Sequence, residues 1–271
     1  MPESRDLLRQ AIRNVRRQAM PSSESIVKQT FQELGYTDEN LTPDQVRRDF
    51  NRLLREVFEK TLVVLERYEE PVYAESAIAA LIGLRNDDVR YARQMMRESG
   101  NTEAAFQASV LWLLKNWYPL LRDLFLSVSQ SRKTRGGKDF ELQLEMLFRL
   151  MGIPFERHHE RYRADFMMPS YRTYERDRAK ALIVSVKRTL RERWQEVADE
   201  LYNLRSPNVY LLTADESISP EKQQALAQRN IYLVVWDEVK ERSFPDEPNV
   251  ISFTSFANEV LPRFLLFWGI S

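Results

Sequence analysis

The sequence contains no cysteine and only two histidines, the adjacent pair His158 and His159. Without thiols, disulfide frameworks, thiolate zinc sites and cysteine nucleophiles are excluded, and imidazole chemistry has little to work with. Any catalysis by this chain has to rest on carboxylates, lysine or hydroxyls. Long apolar runs are also missing: no stretch approaches the roughly 18 uninterrupted apolar residues of a membrane span. The first residues, MPESRDLLRQ, have neither the apolar core nor the small-residue cleavage site of a signal peptide. The expectation is a folded, soluble protein with no membrane partner, placed in the cytoplasm. Net charge is absent as well, with 40 Lys+Arg against 40 Asp+Glu, so the overall balance points to no polyanionic partner.

What is present is a chain of 271 residues with 43% hydrophobic content, enough for one large domain or two small ones. Positive charge is concentrated locally. Between Ser131 and Arg193 there are 16 basic residues against 9 acidic, a surplus of 7 in a neutral chain. Such a field suits a phosphate backbone, although a solvated face can show the same composition.

Two patterns of apolar spacing divide the chain. Up to about Ser129 the spacing is helical: Leu7, Leu8, Ile12 and Val15 recur on one face, as do Phe50, Leu53, Leu54, Val57, Phe58, Leu62 and Leu65. Breaks are expected at Asp38 to Thr42 before Pro43, at Glu70-Pro71, and at Ser99-Gly100-Asn101. After the basic stretch SRKTRGGK, a helix from Asp139 to Met151 is followed by strand-like runs at 163–169, 181–188, 209–215 and 231–237. Helices are expected at 190–204 and 220–229, then a short strand near 250–253 and an apolar helix over 255–267. The continuous apolar character of 181–186, 209–212 and 231–236 predicts strands covered on both faces. The fold class is therefore α/β, a central sheet flanked by helices, with a helical region over 1–130 and the sheet-bearing domain over 131–271.

The first two of these strands, separated by a polar segment, form an adjacent pair that brings Asp165 near Ser185-Val186-Lys187. In an alternating strand Ser185 and Lys187 share a face. A lysine at the end of so apolar a strand calls for an acidic partner, and Asp165 can supply one. A carboxylate that holds a divalent ion, beside a group that orients water, is what phosphodiester hydrolysis requires; a plain salt bridge at a strand end would give the same pattern. In the helix after Lys187, Trp194, Val197, Leu201 and Leu204 form the inward stripe at about 100° per residue. Glu200 falls on its edge and can reach back to the strand ends. On the helix from Asp139, Glu141 borders the inward stripe and can complete an acidic cluster, while Glu145 is rotated farther out. His158-His159 lacks helical ligand spacing and reads as loop. The C-terminal FLLFWG reads as core or subunit interface, and Met95-Met96 as helix packing.

The runs RKTRGGKDFELQLEMLFRLMGIPFE, RADFMMPS and SVKRTLRERWQEVADEL together resemble type II restriction endonucleases related to the EcoRII catalytic domain, PspGI and NgoMIV, within the PD-(D/E)XK nuclease fold. The resemblance extends from Ser131 to Phe253. It implies that a small residue, Ser185, replaces the usual second carboxylate, and that Glu200, with twelve residues between it and Lys187, takes over that role. By the same resemblance Asp165, Lys187, Glu200, Glu141 and Ser185 form the catalytic set, with Asp165 and Glu200 as ligands of Mg2+. Arg132, Arg135, Lys138, Arg188, Arg191, Glu192 and Arg193 would hold and read double-stranded DNA. Arg191-Glu192-Arg193 has chemistry suited to C:G pairs, since arginine donates to guanine O6 and N7 and glutamate accepts from cytosine N4; a solvated helix start with local ion pairs is the other reading of this triplet. Ala164 stands where the motif often has proline, and the helical N-terminal half lies outside the resemblance. The expected activity is Mg-dependent double-strand cleavage at a short palindromic site containing CC and GG. A homodimer is expected, with a cognate DNA methyltransferase acting on the same site. A nuclease of this fold for repair or modified DNA, or a non-cleaving DNA-binding protein, are the alternatives.

Overall fold

The switch from helical to strand-type spacing is borne out in the computed structural model, which describes residues 2–159, 162–190 and 194–270. The first half consists of α1 (Pro2–Ala19), α2 (Ser23–Leu34), α3 (Pro43–Arg48), α4 (Phe50–Glu69), a π-helical segment (Glu70–Ala77), α5 (Ile78–Leu84), α6 (Asn86–Glu98) and α7 (Glu103–Leu150). Two of the three expected breaks occur. Before α3 the Thr42 side chain accepts the Gln45 N–H and the Gln45 side chain accepts the Thr42 N–H, a reciprocal cap followed by Pro43. Between α6 and α7, Gly100 and Asn101 take φ of 79° and 55°, the left-handed region that stops a helix.

The third break does not occur. The chain stays helical through Glu70-Pro71 by widening into the π-helical segment; proline has no N–H to give and crowds the preceding turn, and the wider turn absorbs both effects. A second departure is α7, which runs through Pro119 and the SRKTRGGK stretch to Leu150 instead of beginning at Asp139. Glycine costs a helix interior only about 1 kcal/mol relative to alanine, and complete burial of Phe140, Leu144, Leu147 and Phe148 outweighs that.

The chain packs as two compact units, one of residues 1–26 and 62–135, the other of 27–61 and 136–271. In the first, Leu8 and Ile12 of α1 pack with Val72, Leu81, Trp117 and Leu124. Residues 27–61 are helical as read from sequence, but their apolar face (Phe31, Phe50, Leu54, Val57) packs in the second unit with Phe140 and Phe148.

The second unit carries β1 (Glu156–His159), β2 (Tyr162–Met168), α8 (Tyr171–Arg176), β3 (Leu182–Lys187), α9 (Trp194–Tyr202), β4 (Val209–Thr213), α10 (Pro220–Ala227), β5 (Ile231–Val235), α11 (Asp237–Ser243), β6 (Val250–Ser252), α12 (Phe253–Ser255) and α13 (Leu261–Trp268), the last two joined by a π-helical turn. The strands lie in the order β1-β2-β3-β4-β5-β6. The first three are antiparallel and the last four parallel, a mixed sheet. Every residue of β4 and all but one of β3 and β5 are buried, as expected for a sheet covered on both faces. β1 corrects the reading of His158-His159 as loop: its charged sequence shows no apolar alternation, and only pairing with β2 at the sheet edge makes it a strand.

Phe148 ties helix to sheet, stacking on Phe50 at 6.1 Å and meeting Phe166 edge-on at 5.5 Å. Phe148→Ala is expected to lower stability by about 3–5 kcal/mol in urea denaturation, whereas Leu266→Ala, at a side chain 78% exposed, should stay within about 0.5 kcal/mol of the parent.

Candidate active site

The centre of the site is the seam between β2 and β3. The two strands pair at Phe166 with Val184, Met167 with Ile183 and Met168 with Leu182; continued one step, this register sets Asp165 opposite Ser185. Here a side chain takes over from the backbone ladder. Asp165 Oδ2 accepts the Val186 N–H at 2.6 Å, the Ser185 hydroxyl at 3.1 Å and Lys187 Nζ at 3.3 Å. Lys187 Nζ also donates to the Val186 carbonyl at 3.0 Å. The Asp165 side chain is 14% exposed and that of Lys187 35%, while Ser185 is buried. On its other side β3 stays paired with β4 as far as Lys187 and Thr213, so the lysine leaves from a fixed backbone. The expected acidic partner of Lys187 is thus Asp165.

The other two expected carboxylates engage different cations. Glu200, on α9, pairs with Arg163 on β2. Arg163 and Asp165 are two residues apart on one strand and so share a face; Glu200 reaches that face, and a guanidinium meets it there. Glu141 pairs with Arg157 of β1, and the same guanidinium engages Glu145. Glu145, expected to point outward, is buried instead, because Arg157 draws it in and Arg149 holds its other oxygen at 2.7 Å. Among the described residues no group of three Asp, Glu or His side chains is gathered to hold a metal ion. Asp165 and Glu200 are hard oxygen donors of the type that magnesium takes. The donor set fits such an ion chemically, with Lys187 and Arg163 as the resident counter-cations.

The expected DNA-contacting residues fall into three groups. Arg191, Glu192 and Arg193 lie outside the described residues, as do the side chains of His158 and His159. Arg132 is bound within its own unit: its Nε donates to Glu69 at 2.6 Å and Glu66 stands 3.6 Å away, and the Glu69 hydrogen bond, opposed in part by desolvation, raises its pKa. Arg135 donates to the Pro21 carbonyl. Lys138 is exposed, and Arg188 packs over the Phe58 ring at 5.3 Å. The sequence reading missed Arg163 and Arg157. Arg163 could have been found from its place two residues before Asp165 on one strand face; Arg157 lies on a strand whose pattern gave no sign of itself.

Residues 120–257 match the model of the EcoRII C-terminal family. The chain belongs to that family. The type II restriction enzyme SsoII of Shigella sonnei is 34% identical over 148 residues, 50% of this chain and 48% of SsoII. The type II restriction enzyme EcoRII of Escherichia coli is 31% identical over 119 residues, 40% of this chain and 28% of EcoRII. The chain therefore spans about half the length of the first relative and less of the second. Among solved structures, metal-depleted Ecl18kI in complex with uncleaved DNA superposes with a TM-score of 0.82 at 25% identity, over 98% of this chain and 85% of that one. The complex of the restriction endonuclease PspGI with substrate DNA gives 0.59 at 21% identity, over 92% and 94%. The second likeness bears on the fold alone. Both superpositions take in the mixed sheet, the flanking helices and the N-terminal helical region found here.

One guanidinium between two carboxylates makes Arg157 the keystone of the β1–α7 contact. Arg157→Ala removes the cation that Glu141 and the buried Glu145 share, leaving Arg149 on one Glu145 oxygen, and should cost about 2–4 kcal/mol in chemical denaturation. Adding Glu145→Gln should recover a large part of the loss; no recovery would mean that packing, not charge, is what Arg157 contributes.

Proposed function

We propose that this chain is a type II restriction endonuclease that hydrolyses phosphodiester bonds in both strands of DNA, with magnesium, at a short palindromic site containing CC and GG. The observation that carries the reading is the convergence of Ser185, Val186 and Lys187 on the Asp165 carboxylate at the open end of β2 and β3, in a chain of the EcoRII C-terminal family. The names of the relatives, both type II restriction enzymes, and the DNA bound by Ecl18kI support it.

In this reading Asp165 and Glu200 hold the divalent ion, which when bound stabilises charge on the phosphate and acidifies a water. The protein's own groups do the rest. Ser185 and the Val186 N–H fix the direction of the Asp165 carboxylate. Lys187 Nζ orients the attacking water and stabilises negative charge at the phosphate. Glu141 is the further carboxylate of the set, kept in place by Arg157. Arg132, Arg135, Lys138, Arg188 and the Arg191-Glu192-Arg193 triplet supply DNA contacts, and the N-terminal helices add dimer contacts, DNA contacts or an effector role. A palindromic site is met by a two-fold symmetric homodimer, one active site per strand. In a cell, a methyltransferase acting on the same site would protect the host DNA.

Digestion of DNA of known sequence with magnesium, followed by sequencing of the ends, should give discrete fragments ending at one short sequence. Lys187→Ala should cut at least about 100-fold more slowly; a variant as fast as the parent means the active site lies elsewhere. Random ends would favour a repair nuclease, and binding without cutting a non-catalytic protein.

Arg163 competes with a metal ion for Glu200. By calorimetry without DNA, Arg163→Gln should bind Mn2+ several-fold more tightly than the parent, and Glu200→Gln more weakly. Equal affinity in all three would remove Glu200 from the metal site.

A further inference from the structure

Gly136 and Gly137 stand together inside α7, and neither has positive φ, so backbone conformation demands glycine at neither place. Their surroundings differ. A Cβ on Gly137 would meet nothing within 4 Å, whereas one on Gly136 would fall 1.8 Å from Arg188 Nη1, 2.9 Å from Cζ and 3.1 Å from Cδ. The outer half of Arg188 therefore lies in the volume that a side chain at 136 would occupy. The Phe58 ring holds the same guanidinium at 5.3 Å, where the ring face attracts a cation.

The seat is made of helix backbone and an aromatic ring, and among the described residues no carboxylate pairs with Arg188. Arg132, Arg157 and Arg163, by contrast, are each met by glutamate. Arg188 directly follows Lys187, the last residue of β3, so this seated cation lies one residue along the chain from the lysine of the candidate site. We infer that Gly136 is a positioning residue, whose missing side chain forms the slot that fixes the Arg188 guanidinium as a cation for the DNA phosphate backbone. The inference rests on the DNA-cleaving reading above.

Gly137 provides the matched control, since alanine ordinarily favours a helix at either position. Binding of a mixed-sequence DNA duplex is measured in chelator, where no cutting occurs, across a range of salt. Gly137→Ala should bind like the parent. Gly136→Ala should remain folded, bind about tenfold more weakly and lose about one unit of salt slope. Arg188→Ala should do the same, and the double variant should lose no more than either. Gly136→Ala behaving like Gly137→Ala would overturn the inference, as would additive losses in the double variant. The Arg188 Nε–H resonance, assigned by its disappearance in Arg188→Ala, reports the slot without DNA. It should be dispersed in the parent and in Gly137→Ala, and collapse towards the free-arginine position in Gly136→Ala. If the parent binds no DNA, the nuclease reading and the phosphate role fall together, while the resonance still shows whether Gly136 seats Arg188.

Discussion

The structure around the candidate site depends on one hydrogen bond, from the Val186 N–H to the Asp165 carboxylate at 2.6 Å. A buried strand N–H must find an acceptor, and beyond Phe166 and Val184 a side chain provides it in place of the neighbouring backbone. The two strands can then part while the Val186 N–H stays satisfied. The same carboxylate oxygen takes the Ser185 hydroxyl and the Lys187 ammonium, so the end of β3, the direction of the acid and the position of the lysine are one arrangement. It is rigid because β3 is buried and still paired to β4 on its far side. The Asp165, Ser185 and Lys187 side chains are thus held by a sheet, which keeps their geometry better than a loop would.

Charge is organised with the same economy. Three acids of the site each have their own cation: Asp165 with Lys187, Glu200 with Arg163, and Glu141 with Arg157. Pairing of this kind offsets the repulsion that a bare cluster of carboxylates would feel, and in the proposed reading a common ion for Asp165 and Glu200 would have to draw Glu200 away from Arg163. Arg188 is arranged on the opposite principle, held by shape and by an aromatic ring so that its charge stays available. A chain with no net charge can thus present positive potential locally, because much of its other positive charge is already matched.

Much of this was legible from residue order. The continuous apolar runs marked β3, β4 and β5 as doubly covered strands, and alternation put Ser185 and Lys187 on one face with Asp165 on the adjacent strand. β1 was not legible, because an edge strand of charged residues owes its existence to its neighbour. Arg157 was hidden for the same reason, and Glu145 was misjudged because helical angle places a side chain relative to the helix axis and says nothing of the cation that draws it inward. The continuous α7 was missed because proline and paired glycines weaken a helix by less than its buried aromatic face returns.

Residue order alone, then, was sufficient for the α/β class, strands β2 to β6 of the sheet, the Asp165–Lys187 pair and the family resemblance, since periodicity and short motifs are local properties. Only the tertiary structure could decide which cation each carboxylate meets, that residues 27–61 pack with the sheet-bearing unit, and that of two adjacent glycines one is a slot and the other faces open space. Those outcomes come from contacts between residues far apart in the chain, where burial and charge pairing outweigh local preference. The convergence on Asp165 belongs to both: alternation predicts who can meet, and the parting of β2 from β3 makes a backbone N–H one of the three donors.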